Sequence, residues 1–154
     1  MAIDRSFSER NRAATERIRR LGNLDDTALL TRVGEDWTVA VVLAHLAFWD
    51  RKILIMLDRT EQDGKLYAPA IDVIVNDLAL PLWAAIPPHE AVRLALEAAE
   101  TLDRRLEEYP ERWLERVYVN NPRWVERYQH RNAHLDEAEA ALKGLQDPRS
   151  PKSL

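Results

Sequence analysis

Val39-Ala40-Val41-Val42-Leu43-Ala44-His45-Leu46-Ala47-Phe48-Trp49-Asp50-Arg51-Lys52-Ile53-Leu54-Ile55-Met56-Leu57-Asp58-Arg59 is the stretch from which the fold can be read. It contains neither glycine nor proline, and Val42, Leu43, Leu46, Trp49, Ile53, Met56 and Leu57 recur at the three- and four-residue steps of an α-helix. Apolar side chains surround the segment on nearly all sides, so the helix must be central to a core. Asp36-Trp37-Thr38 opens it, with Thr38 as the N-cap. Its most apolar part, Val39 to Trp49, is interrupted by His45 and is too short to span a bilayer.

Helical patterns continue on both sides. Before it, Ser8 to Leu21 reads as a helix capped by Ser6 or Ser8, with Ala13, Ala14, Ile18 and Leu21 as its stripe and Gly22-Asn23 as its stop. A connection through Asp25, Asp26 and Gly34 follows. After it, Gly64, Pro69, Pro81 and Pro87-Pro88 mark a long irregular crossover with a short helix from Ala70 to Trp83. A crossover of that length lets the next helix run either way. That helix spans His89 to Glu108, with a seam of Ala91, Leu94, Ala95, Ala98, Leu102 and Leu106, and Pro110 ends it. The last spans Pro122 to Leu145, with Trp124, Tyr128, Leu135, Ala138, Leu142 and Leu145 on one side and Pro122 in its first turn. Gly144 and Pro148 stop it. No run of Val, Ile and Thr alternates with polar residues over a strand length. The pattern predicts an all-α fold, one four-helix bundle over residues 1–148 and a frayed tail over 149–154, without internal repeats.

At 154 residues, 46% apolar and 31% charged, the chain has the make-up of a single soluble domain. Its 22 basic and 26 acidic side chains leave a net charge of −4. Arg17, Arg19, Arg20, Arg104 and Arg105 are interleaved with acids, which argues against a nucleic-acid surface. Without cysteine there is no disulfide, no thiolate metal ligand and no cysteine nucleophile. The polar N-terminus has no apolar run of the kind a signal peptide needs, so a cytoplasmic address is expected.

Histidine is scarce, four in the chain. His130 and His134 stand at i and i+4 on the last predicted helix, which puts both imidazoles on one face, where they can share an ion. The wheel sets them about a quarter-turn from the seam of Leu135, Ala138 and Leu142, at the margin of the core. His45 interrupts the most apolar helix, where an unpaired imidazole costs roughly 1–3 kcal/mol. A divalent metal compensates that cost, and three imidazoles from two helices leave positions open for water or substrate. With ordinary pKa values near ~6.5, such a site is expected to release its ion between pH ~7 and ~5 while the bundle survives. His89, beside Pro87-Pro88, reads as a surface cap.

Trp37-Thr38-Val39, then His45-Leu46-Ala47-Phe48-Trp49-Asp50, resembles the second helix of the DinB-like superfamily. Tyr128-Gln129-His130-Arg131-Asn132-Ala133-His134-Leu135 is similar to that superfamily's final-helix histidine pair. The likeness covers nearly the whole chain in helix count, order and crossover. It implies a four-helix bundle with up-up-down-down connectivity, often a homodimer, and a divalent metal, usually zinc or nickel, on His45, His130 and His134. Relatives include damage-inducible proteins, metal-dependent hydrolases and transferases that use a low-molecular-weight thiol such as mycothiol or bacillithiol. The sequence departs from the mycothiol-dependent isomerases in lacking a counterpart of their extra C-terminal domain, which counts against expecting their reaction.

Other residues have two readings each. Trp49 either walls the pocket or fills the core. Asp50 either orients a ligand imidazole or pairs with an arginine on the rim, and Glu126 is a solvated charge, an acceptor behind a ligand, or a base. Trp37 staples the start of the second helix. Trp83, Trp113, Trp124 and Tyr118 line either an apolar pocket or a subunit interface. The expected function is a metal-dependent hydrolase or thiol transferase acting on a small molecule, with no nucleic-acid or membrane partner. A non-enzymatic protein that binds or sequesters a small molecule is the alternative, and a purely structural role is third.

Overall fold

In a computed structural model that describes residues 3–146, Phe7–Leu21 forms α1. Its core face is Phe7, Asn11, Ala14, Thr15, Ile18 and Leu21, while Ala13 points to solvent. The stripe looks thin in apolar residues because two of its members are polar and buried. Ser6 precedes the helix without capping it; its hydroxyl donates to Asp4 at 3.0 Å. A one-turn helix, α2 (Asp26–Leu29), follows, capped by Asp25. Strands β1 (Arg32–Val33) and β2 (Trp37–Thr38) then pair antiparallel around Gly34, whose φ of 69° favours glycine. Two-residue strands are too short for alternation to reveal.

The Thr38 hydroxyl accepts from the Val41 amide at 3.1 Å, and α3 runs from Val39 to Asp63. It outruns the expected end at Arg59 by one turn, to Gly64 at φ 67°. Then come α4 (Ile74–Ala84), α5 (Pro88–Glu108), α6 (Glu111–Asn120), a 3₁₀ turn at Pro122–Trp124, and α7 (Tyr128–Gln146). The single last helix expected from Pro122 is therefore two pieces, the 3₁₀ turn and α7, with a break between them. Asn11 of α1 holds the break open, since its amide donates to the Val125 carbonyl and accepts from the Tyr128 N–H, both at 2.9 Å. Trp124 lies on the turn and not on α7. Pro148 and the tail expected over 149–154 lie outside the described residues.

The four long helices make the expected bundle, with α1 and α3 each lying against both α5 and α7. Their directions correct the expected up-up-down-down order. Arg12 meets Glu107 and Arg19 meets Glu100, so α1 is antiparallel to α5. The start of α3 shares a groove with Leu94 and Ala98 (through Ala44), and its far end meets Tyr109 and Arg105 (through Leu57 and Asp58), so α3 is parallel to α5. His45 lies near His130 and Asp50 near Arg127, which sets α7 antiparallel to α3. The connectivity is up-down-down-up. Parallel neighbours require the chain to travel back along the bundle, and the crossover carrying α4 does so. Among the described residues no helix is long and apolar enough to cross a membrane.

The core is split. One apolar cluster, with Ile18, Leu43, Leu46, Ala95 and Leu135, fills one end, and another, with Phe7, Ile53, Leu57, Leu106 and Leu114, fills the other. Between them lies a layer of buried charge. Arg131, fully buried, donates through Nε to Asp50 at 2.9 Å and through Nη1 to Asp103 at 2.8 Å. Arg127 donates through Nε to the other Asp50 oxygen at 2.9 Å, and Thr15 donates to the second Asp103 oxygen at 2.5 Å. Two arginines against two aspartates leave the layer neutral, and each carboxylate oxygen has a donor. Burial at this level is tolerated only when paired so completely.

Candidate metal centre

The charged layer sets the position of the histidines. Asp50 ties α3 to α7 through Arg127 and Arg131, and earlier on α3 His45 comes to face His130 and His134. The Nε2 atoms of His45 and His130 are 3.2 Å apart, and one ligand nitrogen from each histidine lies within 4.8 Å of the others. His45 is buried, while His130 and His134 are half-buried and open toward solvent. Trp37 of β2 stacks on His134 at 6.0 Å, and Trp83 of α4 stands edge-on to His45 at 5.5 Å. Trp37 thus does more than staple a helix start.

Arg127 Nη2 donates to His130 Nδ1 at 3.2 Å, so the neutral His130 carries its proton on Nε2, where it points at His45. His45 accepts through Nε2, and its own Nδ1 is buried with no hydrogen-bond partner. His134 Nδ1 is likewise buried without a hydrogen bond, with the Glu137 carboxylate 3.4 Å away. Burial pushes the His45 imidazole down to about 3, helped by the charge His134 would carry. Burial again, then the Arg127 guanidinium, pushes His130 down to about 2. Both are therefore neutral at physiological pH, the state in which an imidazole binds metal.

The donor set fits a divalent ion. Two nitrogens each about 2.05 Å from a tetrahedral zinc lie about 3.3 Å apart, close to the Nε2 separation here. An ion in that gap would replace the single proton the two rings now share. Its binding through His130 Nε2 would move that ring's proton to Nδ1, facing Arg127, so loading and the Arg127 contact are coupled.

A cavity of about 670 Å³ opens over the cluster. Trp49 walls it, as one of its two readings expected, and donates through Nε1 to Asn76 at 3.0 Å. Trp124 walls the opposite side, with the Lys52 ammonium 4.3 Å from its ring centre. Among the described residues that line this cavity none is Asp or Glu. Glu126 is not part of it; that carboxylate accepts from Gln129 at 2.6 Å and from Tyr118 at 3.5 Å. Asp50 is neither a rim residue nor a solvated charge, because it is buried beneath the histidines. It reaches His130 only through Arg127. His89 bridges Asp26 and the Leu24 carbonyl at 2.7 and 2.9 Å, tying α2 to α5 away from the centre. Trp113 belongs to the distal apolar cluster, against which Tyr118 packs.

Sequence reasoning missed Arg127, Arg131, Asp103, Lys52 and Asn76. A signal for two of them existed. Arg131 and Arg127 stand four and eight positions before Leu135, on the stripe that buries Leu135 and Ala138. Arginine on a core stripe implies a buried acid.

Searches of curated proteins and of solved structures find no match. The family model described as mycothiol maleylpyruvate isomerase N-terminal domain matches residues 11–144, which include all three histidines and both aspartates of the buried layer. The chain belongs to that family, and so to the DinB-like superfamily that its histidine motifs resemble.

Proposed function

We propose that this protein is a metal-dependent enzyme that works on a small molecule with a low-molecular-weight thiol as co-substrate. One divalent ion, zinc or nickel, would be held by His45, His130 and His134. Bound there with open positions, the ion supplies a Lewis acid that keeps an incoming thiol as thiolate. The observation that carries the reading is a roomy cavity that joins three neutral imidazoles and has no carboxylate among its described lining residues. A hydrolase needs a base to take a proton from water; no carboxylate is among the described residues lining this cavity, and Glu137, 3.4 Å from His134 Nδ1, faces the neighbouring groove, which favours a thiol transferase over a hydrolase. The chain has no cysteine, so the thiol must come from outside. The family's printed name, which refers to mycothiol, supports the same chemistry.

In this reading Trp37 and Trp83 keep water from the buried side of the cluster, and Arg127 sets the ring of His130. Asn76, whose oxygen accepts from Trp49, lines the cavity and would orient a ligand there through its amide. The lack of a carboxylate among the described lining residues also favours the second reading, a protein that binds or sequesters a small molecule without turnover. A homodimer is part of the proposal too, supported by an exposed apolar row of Val73, Ile74, Leu78 and Leu82 on and beside α4. The test is elemental analysis of untagged protein, followed by thiol-conjugation assays with the zinc-loaded and nickel-loaded forms. Stoichiometric metal with thiol-dependent turnover is expected. Metal without turnover favours the binding protein, and failure to take up either ion refutes the proposal.

A further inference from the structure

The geometry points to an anion subsite in the cavity: Lys52 and Arg123 would hold the carboxylate of an organic acid whose apolar body lies against Trp49 and Trp124. This deepens the proposed function, since it rests on the same cavity being the substrate site. Several surface arginines meet acids, as Arg12 does Glu107, Arg17 Asp136, Arg93 Glu97 and Arg105 Glu61. The two cavity cations meet none among the described residues. Lys52 is half-buried and meets no carboxylate among the described residues; its ammonium lies over the Trp124 ring instead. Burial and the charge of Arg127 hold its pKa below the ordinary lysine value, as expected for a cation that lacks its counter-ion. The Arg123 side chain has no hydrogen-bond partner among the described residues, although its backbone carbonyl accepts from Arg127. Arg127 itself is satisfied by Asp50, so the positive charge left over is that of Lys52 and Arg123. In a chain whose net charge is −4, a wall with two unpaired cations and no acid is suited to recognise a negative ligand. Asn76 and Asn121 add neutral polar groups, and the two tryptophans add flat apolar walls.

The test uses the full chain with metal removed by chelation, so that a carboxylate cannot bind an ion, and two probes of one shape, benzoate and benzamide. Tryptophan fluorescence gives both affinities. Wild type is expected to prefer benzoate by at least about tenfold, the gain from one charge-assisted contact. Lys52→Met combined with Arg123→Met should bring the two probes within about twofold of each other. Lys143→Met, an exposed change away from the cavity, should leave the preference intact and so exclude a net-charge effect. Equal affinity for both probes in wild type, no benzoate binding at millimolar concentration, or a preference that survives the double substitution overturns the inference. Zinc uptake measured on the same protein separates this result from the metal reading: benzoate preference without zinc uptake sinks the metal alone, and zinc uptake without the preference sinks the subsite alone.

Discussion

Lowering the pH from 7 to 5 in the presence of a chelator is expected to remove about 4 kcal/mol of folding stability. Burial holds His45 at about 3 and His130 at about 2 in the folded chain, whereas an imidazole in the unfolded chain titrates near ~6.5. With folded pKa values depressed below unfolded ones, protons bind the unfolded chain first. Stability is full above the unfolded value and falls, by up to about 1.4 kcal/mol per pH unit for each histidine, as the pH drops toward the folded values. From pH 7 to 5 each histidine accounts for about 2 kcal/mol, and the sum does not depend on the folded values so long as they stay well below 5. Carboxylates of ordinary pKa remain largely ionised in this window. Urea unfolding followed by circular dichroism at fixed protein concentration gives the stability at each pH. His45→Gln should recover about half of the slope. A stability flat within about 1 kcal/mol, or a His45→Gln slope equal to wild type, would refute the reasoning. The same depressed values revise the expectation that acid strips the ion from an intact bundle. Protonation of His45 and His130 does not compete with metal in this range while the chain stays folded, so those two ligands are expected to let go of the ion only where helicity is lost.

His45→Ala is expected to weaken zinc binding at least about a hundredfold while far-UV dichroism keeps its helical shape, since the apolar clusters on either side are untouched; calorimetric titration with unchanged affinity would remove His45 from the ligand set. Arg131→Met should cost about 3–5 kcal/mol by urea unfolding, because it leaves Asp103 buried with only Thr15 as donor and Asp50 with only Arg127. A loss below about 1 kcal/mol would mean that the layer relaxes by admitting water. Leu78→Asp with Leu82→Asp should convert the proposed dimer to a monomer in sedimentation equilibrium, and a wild-type chain that sediments as a monomer ends that part of the proposal.

The bundle was legible because three of its four long helices carry their own signals: the capping threonine and unbroken apolar run of α3, the alanine seam of α5, and the stripe of α1 closed by Gly22. The last was misread at its start because a proline suits a helical first turn as well as a 3₁₀ turn. What decides between them is Asn11, 117 residues away from Tyr128, whose amide takes the backbone groups that a continuous helix would have used. Helix directions were illegible for a related reason. The crossover through α4 is long enough for either sense of α5, and the sense of α7 against α3 rests on Asp50 meeting Arg127 and Arg131. Each of those three looks like a surface charge when read singly. Their joint burial also explains why the histidines could be found while their supports could not. A histidine within an apolar run is conspicuous for its cost, but an arginine next to it on the wheel passes for solvated until its aspartate is located across the core. Pairing fixes α3 against α7 at one register, since sliding α3 by a turn would strand Asp50 and Arg127 without ionic partners, and sliding α7 would part Arg131 from Asp103 as well. The layer thus gives up apolar contact and in return holds His45 opposite His130, at a separation that suits a shared ion.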